Sequence, residues 1–511
     1  MALLTDLRFR ALYAQKLSAT GDESRLPETP CRVVELRHLT DGDRQLFQSL
    51  SLHERYLEAA LKSSFPLQRE LTRQAGFTSY SGCLEGYFTP VDSTLLECDC
   101  AVSCCPVCGG ACTSRESYPV RDFCHILTFY RFTCHGEFFL LKGAPPTIGL
   151  YLPEHELIIR YVDEDLSLGQ MFYRPAQLVE VLALFKQLLA ANLDIALRYQ
   201  RSAANRQLHY LTGNFNPIGH HLINELPGMQ RLIDNGLSHR LAIVAEPLCH
   251  YLELEELFPE IGRVENWRST AESFRDQAEE LLLRSLNSNA FVIAGYHNGM
   301  VQEALDRRVL SYVTARTRPG VLQRISEADR RWPRLWVTLR TGNRSWVTQN
   351  SGLIELLTAI HPLYPHMVVI FDGLPKEAPD LAVITEHLPP GLQWVDALHL
   401  QLTESIHWCH HADAHVSPVG NGGVFISLAN IPGVYHSNSR ILYHYCSGKD
   451  GRETFSLHPR EGAAENLAAA ARKDYTPEKD MHFCDYEVEV DDLIRKLERI
   501  LARLPRPEQA S

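Results

Sequence analysis

The sequence predicts an α/β protein in which two Rossmann-like domains face one another behind an extra N-terminal α+β domain. Three observations lead there. From about residue 206 onward, short apolar runs alternate with helix-period segments in two successive blocks, the βαβ signature of a parallel sheet covered by helices. A proline-bounded stretch, 319–333, separates the blocks and reads as a linker. The first 200 residues lack this alternation and instead carry β-like runs, one long helix, and six cysteines (Cys98, Cys100, Cys104, Cys105, Cys108, Cys112) within fifteen positions.

Taken in order, residues 1–80 are polar and mostly helical in pattern, with Leu46, Phe47, Leu50, Leu52, Tyr56, Leu57 and Leu61 at roughly helical spacing. β-like runs follow at 126–132, 137–141 and 157–162. A strong helix over 175–199 has Leu178, Val181, Leu182, Leu184, Phe185, Leu188 and Leu189 on one apolar face. The polar stretch near 200–207 marks a boundary. The first βαβ block offers strands at 209–211, 241–244, 291–293 and 309–313, with helices at 217–235 and 270–286. The second offers strands at 335–339, 367–371 and 392–397, helices at 352–360 and 403–411, and an apolar run at 424–428. An amphipathic helix at 491–504 closes the chain. The expected domains are 1–200, with the cysteine-rich segment at 98–134, then the Rossmann-like blocks 201–325 and 326–490, and a C-terminal helix in 491–511. Ligands of such sheets bind at the carboxyl ends of the strands, so the cleft between the blocks is the expected site.

Composition narrows the class. The 511 residues are 45% hydrophobic and 22% charged, an ordinary globular balance. Fifty Lys and Arg against 62 Asp and Glu give a net charge of −12, and no Lys/Arg-rich run forms a local basic patch. Nucleic acid is therefore not an expected partner. No apolar stretch is long enough to span a membrane. Asp6 and Arg8 stand where a signal peptide needs its apolar centre. The expected location is the cytoplasm, and clustered cysteines there read as one local metal or redox site.

Four constellations carry chemistry. In Cys105-Pro106-Val107-Cys108-Gly109-Gly110, a CxxC followed by glycines is a zinc-knuckle turn. The expected ligands are Cys98, Cys100, Cys105, Cys108 and Cys112, with Cys124, Cys134 and His135 further candidates downstream. Four protein ligands would make zinc a staple and not a catalyst. An iron–sulfur cluster and metal-free reduced cysteines are the alternatives. The second constellation runs from Gly213 to Pro227 after a strand. Asn216 suits an N-cap and Pro217 a first helical residue, while His221 and Glu225 share a helix face. A histidine there can act as general base with a carboxylate to orient it. His221, or His220, with Glu225 is the expected catalytic group, and Asn214 and Asn216 lie in the turn before it.

The third is Arg340-Thr341-Gly342-Asn343-Arg344, directly after a strand, where forked donors and turn amides suit a phosphate. The fourth is Gly420-Asn421-Gly422-Gly423, whose glycines allow close backbone approach. Asp372 and Glu404 each stand beside an element end and are further candidate site residues. His407, His410, His411, Asp413 and His415 match no HExxH-type signature, so a helix with some exposed histidines is preferred to a metallohydrolase centre. No GxGxxG follows the first strand of either block, which argues against a nicotinamide-dependent oxidoreductase.

In the order of these motifs the chain resembles a GT-B glycosyltransferase, and within that group the family of plant xylan glycosyltransferases and the extracellular O-GlcNAc transferase. The residues that carry the resemblance are Gly213 to Pro227, Arg340 and Arg344, and His415 to Gly423, over about residues 205–450. The last segment departs from the family's compact His-Gly-Ala-Gly turn, and residues 1–200 have no counterpart in its core. The resemblance implies transfer of a sugar from a nucleotide-sugar donor to an acceptor hydroxyl, with inversion and without a required metal. It would put block 201–325 with Asn214 and Asn216 on the acceptor side, block 326–490 on the donor side, and Asp372 and Glu404 on ribose or donor-sugar hydroxyls. The acceptor would be a glycan, a lipid-linked glycan, a protein or a small molecule. The other class that fits is a non-catalytic, zinc-stapled interaction or scaffold protein with a degenerate transferase domain.

Overall fold

The computed structural model describes residues 31–53, 93–95, 100–121, 126–143, 147–160, 174–202, 206–212, 218–234, 236–238, 241–245, 251–266, 269, 271–294, 303–420, 423–438, 467–469, 472–474 and 484–505. The fold is mixed α/β, with one largely antiparallel sheet and two parallel ones as its main layers. The chain forms two compact units, Met1–Asn216 with Asn224–Asn298, and Pro217–Ile223 with Gly299–Ser511.

Unit 1 begins with β1 (Arg32–Glu35) and α1 (Asp41–Ser49), so part of the stretch expected to be helical pairs as a strand. Residues 54–92, including the expected helical positions Tyr56, Leu57 and Leu61, lie outside the described residues. A small antiparallel sheet joins β2 (Ser93–Leu95), β3 (Cys100–Cys104) and β4 (Ala111–Ser114). The larger sheet has β5 (Ser117–Arg121), β6 (Ile126–Thr133), β7 (Glu137–Lys142), β8 (Thr147–Leu152) and β9 (Leu157–Arg160) in antiparallel sequence, with β1 parallel to β9 at the edge. Its face is covered by α2 (Pro175–Ala191), whose Leu178, Leu182, Phe185 and Leu189 pack on Phe129, Phe139 and Tyr151. The expected single helix breaks at Asn192 (φ −120°, ψ 32°), where α3 (Leu193–Arg201) starts.

The same unit holds a four-stranded parallel sheet. β10 (Gln207–Thr212), α4 (Leu226–Asp234), β11 (Leu241–Ala245), β12 (Val264–Asn266), α5 (Phe274–Asn287) and β13 (Ala290–Ala294) give the strand order β12-β11-β10-β13. Buried hydroxyls tie it to the antiparallel sheet: Tyr199 donates to Ala290 O (2.7 Å), Tyr130 to Val292 O (2.8 Å), and Ser117 Oγ accepts from Val292 N (2.7 Å). The polar stretch near 200–207 falls within this unit.

Unit 2 contains α6 (Glu303–Thr314), α7 (Pro319–Ala328), β14 (Arg334–Thr338), α8 (Gln349–Ile360), β15 (Val368–Asp372), α9 (Ala378–Glu386), β16 (Gln393–Asp396), α10 (Leu402–His410), β17 (Ala414–Pro418), α11 (Val424–Ala429) and β18 (Gly433–His436). β19 (Leu467–Ala469), β20 (Arg472–Asp474), β21 (Tyr486–Val488) and α12 (Val490–Leu501) complete it. Its sheet is parallel throughout, in the order β16-β15-β14-β17-β18-β19. Counted from β14 this is 3-2-1-4-5-6, the doubly wound order. Side chains alternate across it as a strand's period of two requires. Leu335 and Val337 pack with Leu353 and Leu357 of α8 and Leu497 of α12, whereas Trp336 packs with Val321 of α7 and Trp408 of α10.

Two sequence expectations are corrected here. The run 309–313 is not a strand but part of α6, where Leu305, Val309, Tyr312 and Val313 recur on one buried helical face. The expected linker 319–333 contains α7, begun by Pro319 and held by buried Val321, Ile325 and Ala328. Among the described residues, no helix is long and apolar enough to cross a membrane.

Candidate functional site

In a doubly wound sheet the order reverses beside its first strand, and the loops leaving the two diverging strands open a crevice there. In unit 2 those strands are β14 and β17, which pair in parallel. Their carboxyl ends are joined below the loops by a buried contact between the hydroxyls of Thr338 and Ser417, 3.0 Å apart. The loop after β14 is the expected Arg340–Arg344 motif, and the turn after β17 begins with Gly420.

The Arg loop is built to hold one shape. Arg340 N donates to Gln349 Oε1 (3.0 Å), while Thr341 N and its hydroxyl donate to Glu377 Oε1 (3.1 and 2.9 Å). Glu377 is buried, and its other oxygen accepts from Leu374 N (2.8 Å). Ser345 N donates to Asp485 Oδ1 (3.0 Å). Gly342 and Arg344 take left-handed φ values of 103° and 52°. Asn343 fixes the Arg340 side chain: its carbonyl accepts from Nε (2.8 Å) and its Oδ1 from Nη2 (3.0 Å). Glu377, Gln349 and Asp485 were not singled out from sequence. The signal for Glu377 was its place in the loop that follows β15.

The two distant motifs meet at Gly420. A Cβ there would lie 3.1 Å from Arg340 Nη1 and 3.7 Å from Arg344 Nη2, so both guanidinium groups sit against this turn. Burial, and then the like charge of Arg344, pull the Arg340 guanidinium down to about 10. Two guanidinium groups are held together and partly out of water, and forked N–H donors suit a phosphate oxygen. A cavity of ≈ 710 Å³ opens beside the same loop, lined by Arg340, Thr341, Gly342, Ser345, Gln349 and Asp485 among others; Arg344 and Gly420 do not line it. Gly420 has φ +124° as well as this crowding. Gly420→Ala is therefore expected to destabilise the protein by about 1–3 kcal/mol, read as a lower urea midpoint, and to displace Arg340.

The remaining expected residues divide. Asp372 ends β15, buried, with its carboxyl pushed up to about 8 by burial and then by the Glu377 charge, against a hydrogen bond from Gly373 N. Glu404 is buried and committed elsewhere: Arg318 donates to both its oxygens (2.6 and 2.7 Å) and Gln401 N to Oε2 (3.0 Å). The Arg318 hydrogen bond keeps this carboxylate below its ordinary range. Gly423 precedes α11, where its carbonyl accepts from Ser427 and Tyr435 (3.0 and 3.1 Å); Asn421 and Gly422 lie outside the described residues.

The histidines on and after α10 are not the exposed set expected. His407 is buried against Thr314 and Thr317, His410 Nε2 meets Asp306 at 2.7 Å, and His411 Nδ1 meets Asp329 at 3.1 Å. His415 is buried beside the Tyr435 ring, and burial pulls it to about 3. The His407 and His411 rings also meet edge to face, 5.2 Å apart, and among the described residues these histidines do not gather as a set of metal-ligand atoms.

At the carboxyl end of β10, Glu225 and His221 are both buried. Thr212 donates its hydroxyl to Glu225 Oε2 (2.6 Å) and Tyr210 its hydroxyl to Glu225 O (2.7 Å). His221–Glu225 is a π-helical turn between helical segments. Pro227 accounts for the widening, because it has no N–H for the carbonyl four residues back and its ring crowds that carbonyl. Asn214, Asn216 and the His220 side chain lie outside the described residues.

The cysteine turn is present, with a different second pair. Cys105 and Cys108 at the β3–β4 turn lie with Cys134 and His135 at the β6–β7 turn, all four ligand atoms within 4.8 Å of one another. Cys100 lies buried on β3 outside this group, and Cys98 and Cys124 fall outside the described residues. The expected ligand Cys112 borders the group: its Sγ faces Gly110 O at 3.7 Å and interacts with the thiols of Cys105 and Cys134.

No protein-family model matches the chain, and no curated protein matches it. Among solved structures it is similar to ADP-heptose lps heptosyltransferase II of E. coli, at 12% identity over 58% of this chain and 99% of that one, with a TM-score of 0.35. It is also similar to a glycosyl transferase family 9 structure from Veillonella parvula (8%, 45% and 80%, 0.30). A third is UDP-GlcNAc 2-epimerase from Methanocaldococcus jannaschii (10%, 62% and 76%, 0.29).

Proposed function

We propose that the chain is a glycosyltransferase of GT-B type that moves a sugar from a nucleotide-activated donor to an acceptor hydroxyl. The observation that carries this reading is the convergence of Arg340 and Arg344 on Gly420 at the switch point of the unit 2 sheet. A diphosphate there accepts from both guanidinium groups. Their two charges stabilise the negative charge that develops as the bond to the sugar breaks, the part a divalent cation plays elsewhere. Asp372 binds a hydroxyl of the ribose or of the donor sugar.

In the transfer step the acceptor oxygen bonds to the anomeric carbon from the side opposite the diphosphate, which leaves with the electron pair of its C–O bond. The configuration inverts, and the acceptor proton passes to His221, with Glu225 as the supporting carboxylate. The acceptor is a hydroxyl of a glycan, lipid-linked glycan, protein or small molecule.

The test is release of nucleoside diphosphate from a panel of nucleotide sugars, with and without added hydroxyl acceptors. One donor is expected to turn over. His221→Ala is expected to lower kcat by about 10²–10⁴-fold while donor binding persists. A folded wild type that binds no nucleotide and turns over no donor would favour the scaffold reading.

A further inference from the structure

We infer that Cys105, Cys108, Cys134 and His135 form a structural zinc site that pins the β3–β4 turn to the β6–β7 turn. The glycosyl-transfer reading makes no use of these residues. All four ligand atoms lie within 4.8 Å of one another, and three of the separations are close to the edges of a tetrahedron around zinc. With Zn–S near 2.3 Å and Zn–N near 2.0–2.1 Å, tetrahedral edges are about 3.8 Å between sulfurs and about 3.6 Å between sulfur and nitrogen. Cys108 Sγ and Cys134 Sγ are 3.8 Å apart, Cys105 Sγ and His135 Nδ1 3.9 Å, and Cys134 Sγ and His135 Nδ1 3.3 Å.

The backbone is arranged as a metal knuckle on the Cys105–Cys108 side. Cys105 N donates to Gly110 O (2.8 Å), Gly109 N donates to Cys105 O (2.9 Å), and Gly110 N points at Cys108 Sγ (3.4 Å). Gly109 takes φ +69°, and a Cβ there would lie 2.6 Å from His53 Nδ1, so no larger residue fits the turn. Three thiolates and one imidazole fill four positions, which leaves none open for substrate.

The site also has a mechanical consequence. The sheet β2-β3-β4 has three short strands, the longest of five residues, and so little hydrogen-bonded length of its own. Its turn carries two of the ligands, and the other two lie on the hairpin of the larger sheet. The metal ties the two turns together, beside the Ser114 hydroxyl that donates to Arg131 O and already joins the small sheet to the larger one.

The experiment is metal analysis of the purified full chain, followed by cobalt substitution. One equivalent of zinc is expected, and the cobalt form should show tetrahedral d–d bands with thiolate-to-cobalt charge transfer. Cys105→Ser, Cys134→Ser and His135→Ala should each lose most of the metal, and Cys112→Ser should keep it. Limited proteolysis is the second readout: chelation should open cleavage within 100–114 in the wild type while unit 2 stays intact. Less than a tenth of an equivalent of zinc in protein whose thiols are reduced would overturn the proposal, as would iron in its place. Metal loss in Cys112→Ser with retention in His135→Ala would overturn the ligand set. None of these outcomes depends on nucleotide binding or turnover, so this site and the transferase reading fail separately.

Discussion

Replacing Arg340 and Arg344 together with alanine is expected to weaken nucleoside diphosphate binding by about 10²–10⁴-fold, at roughly 1.5–3 kcal/mol per charged hydrogen-bonding partner lost. Stability should hardly change. The loop is fixed through the backbone of Arg340, Thr341 and Ser345 by Gln349, Glu377 and Asp485, and those bonds survive truncation of the arginines. Removing the two crowded cations also removes their mutual repulsion. Arg340→Lys should not restore binding, because Asn343 grips Nε and Nη2 while Nη1 faces Gly420. An ammonium cannot be held by Asn343 and reach the turn at once. Below about pH 10 the Arg340 guanidinium keeps its proton, so affinity should be flat on this group's account from pH 6 to 9 and fall as pH rises through 10. Calorimetry on wild type, Arg340→Lys and the double variant checks all three points. Unchanged affinity in the double variant would remove the arginines from the site.

Asp372 should make the protein lose stability as pH rises from about 4 to about 8, and Asp372→Asn should abolish that loss. The carboxyl sits near 8 in the folded chain and near 3.8 in the unfolded one. Below pH 4 both states hold the proton, and the group costs nothing through charge. Between 4 and 8 the unfolded chain releases it while the folded chain does not, so the native state declines relative to the unfolded one. Above 8 both are ionised and the difference is constant, a shift of this size corresponding to several kcal/mol. Asparagine keeps an oxygen for the Gly373 amide but carries no charge. Denaturant midpoints of the two proteins should therefore converge near pH 4 and separate progressively to pH 8. Parallel curves would show that Asp372 is hydrated in the native state.

The elements legible from sequence were those with strong periodicity. β14 and β15, buried on both faces, are continuous apolar runs, and α2 and α12 have clear apolar stripes. β17 was missed because His415, Ser417 and Pro418 interrupt its hydrophobic pattern, although all five of its residues are buried. The run 309–313 misled because a short β-branched segment is compatible with either a strand or one turn of a buried helix. The Arg loop and the glycine turn were each readable alone. Their meeting depends on β14 pairing with β17, a contact across some eighty residues that local pattern does not encode. Cys134 and His135 likewise reach Cys105 only because both pairs occupy turns of antiparallel hairpins. The narrower resemblance to the xylan and O-GlcNAc family rests on motif order alone, since no family model matches the chain.

The most direct test of a diphosphate site at the β14–β17 switch point is calorimetric titration of the wild type with a panel of nucleoside diphosphates and nucleotide sugars, repeated on the Arg340→Ala/Arg344→Ala variant. One nucleotide should bind selectively, with an affinity that the double substitution abolishes and inorganic pyrophosphate competes away. A folded wild type that binds no member of the panel, or binding that survives loss of both arginines, would contradict it.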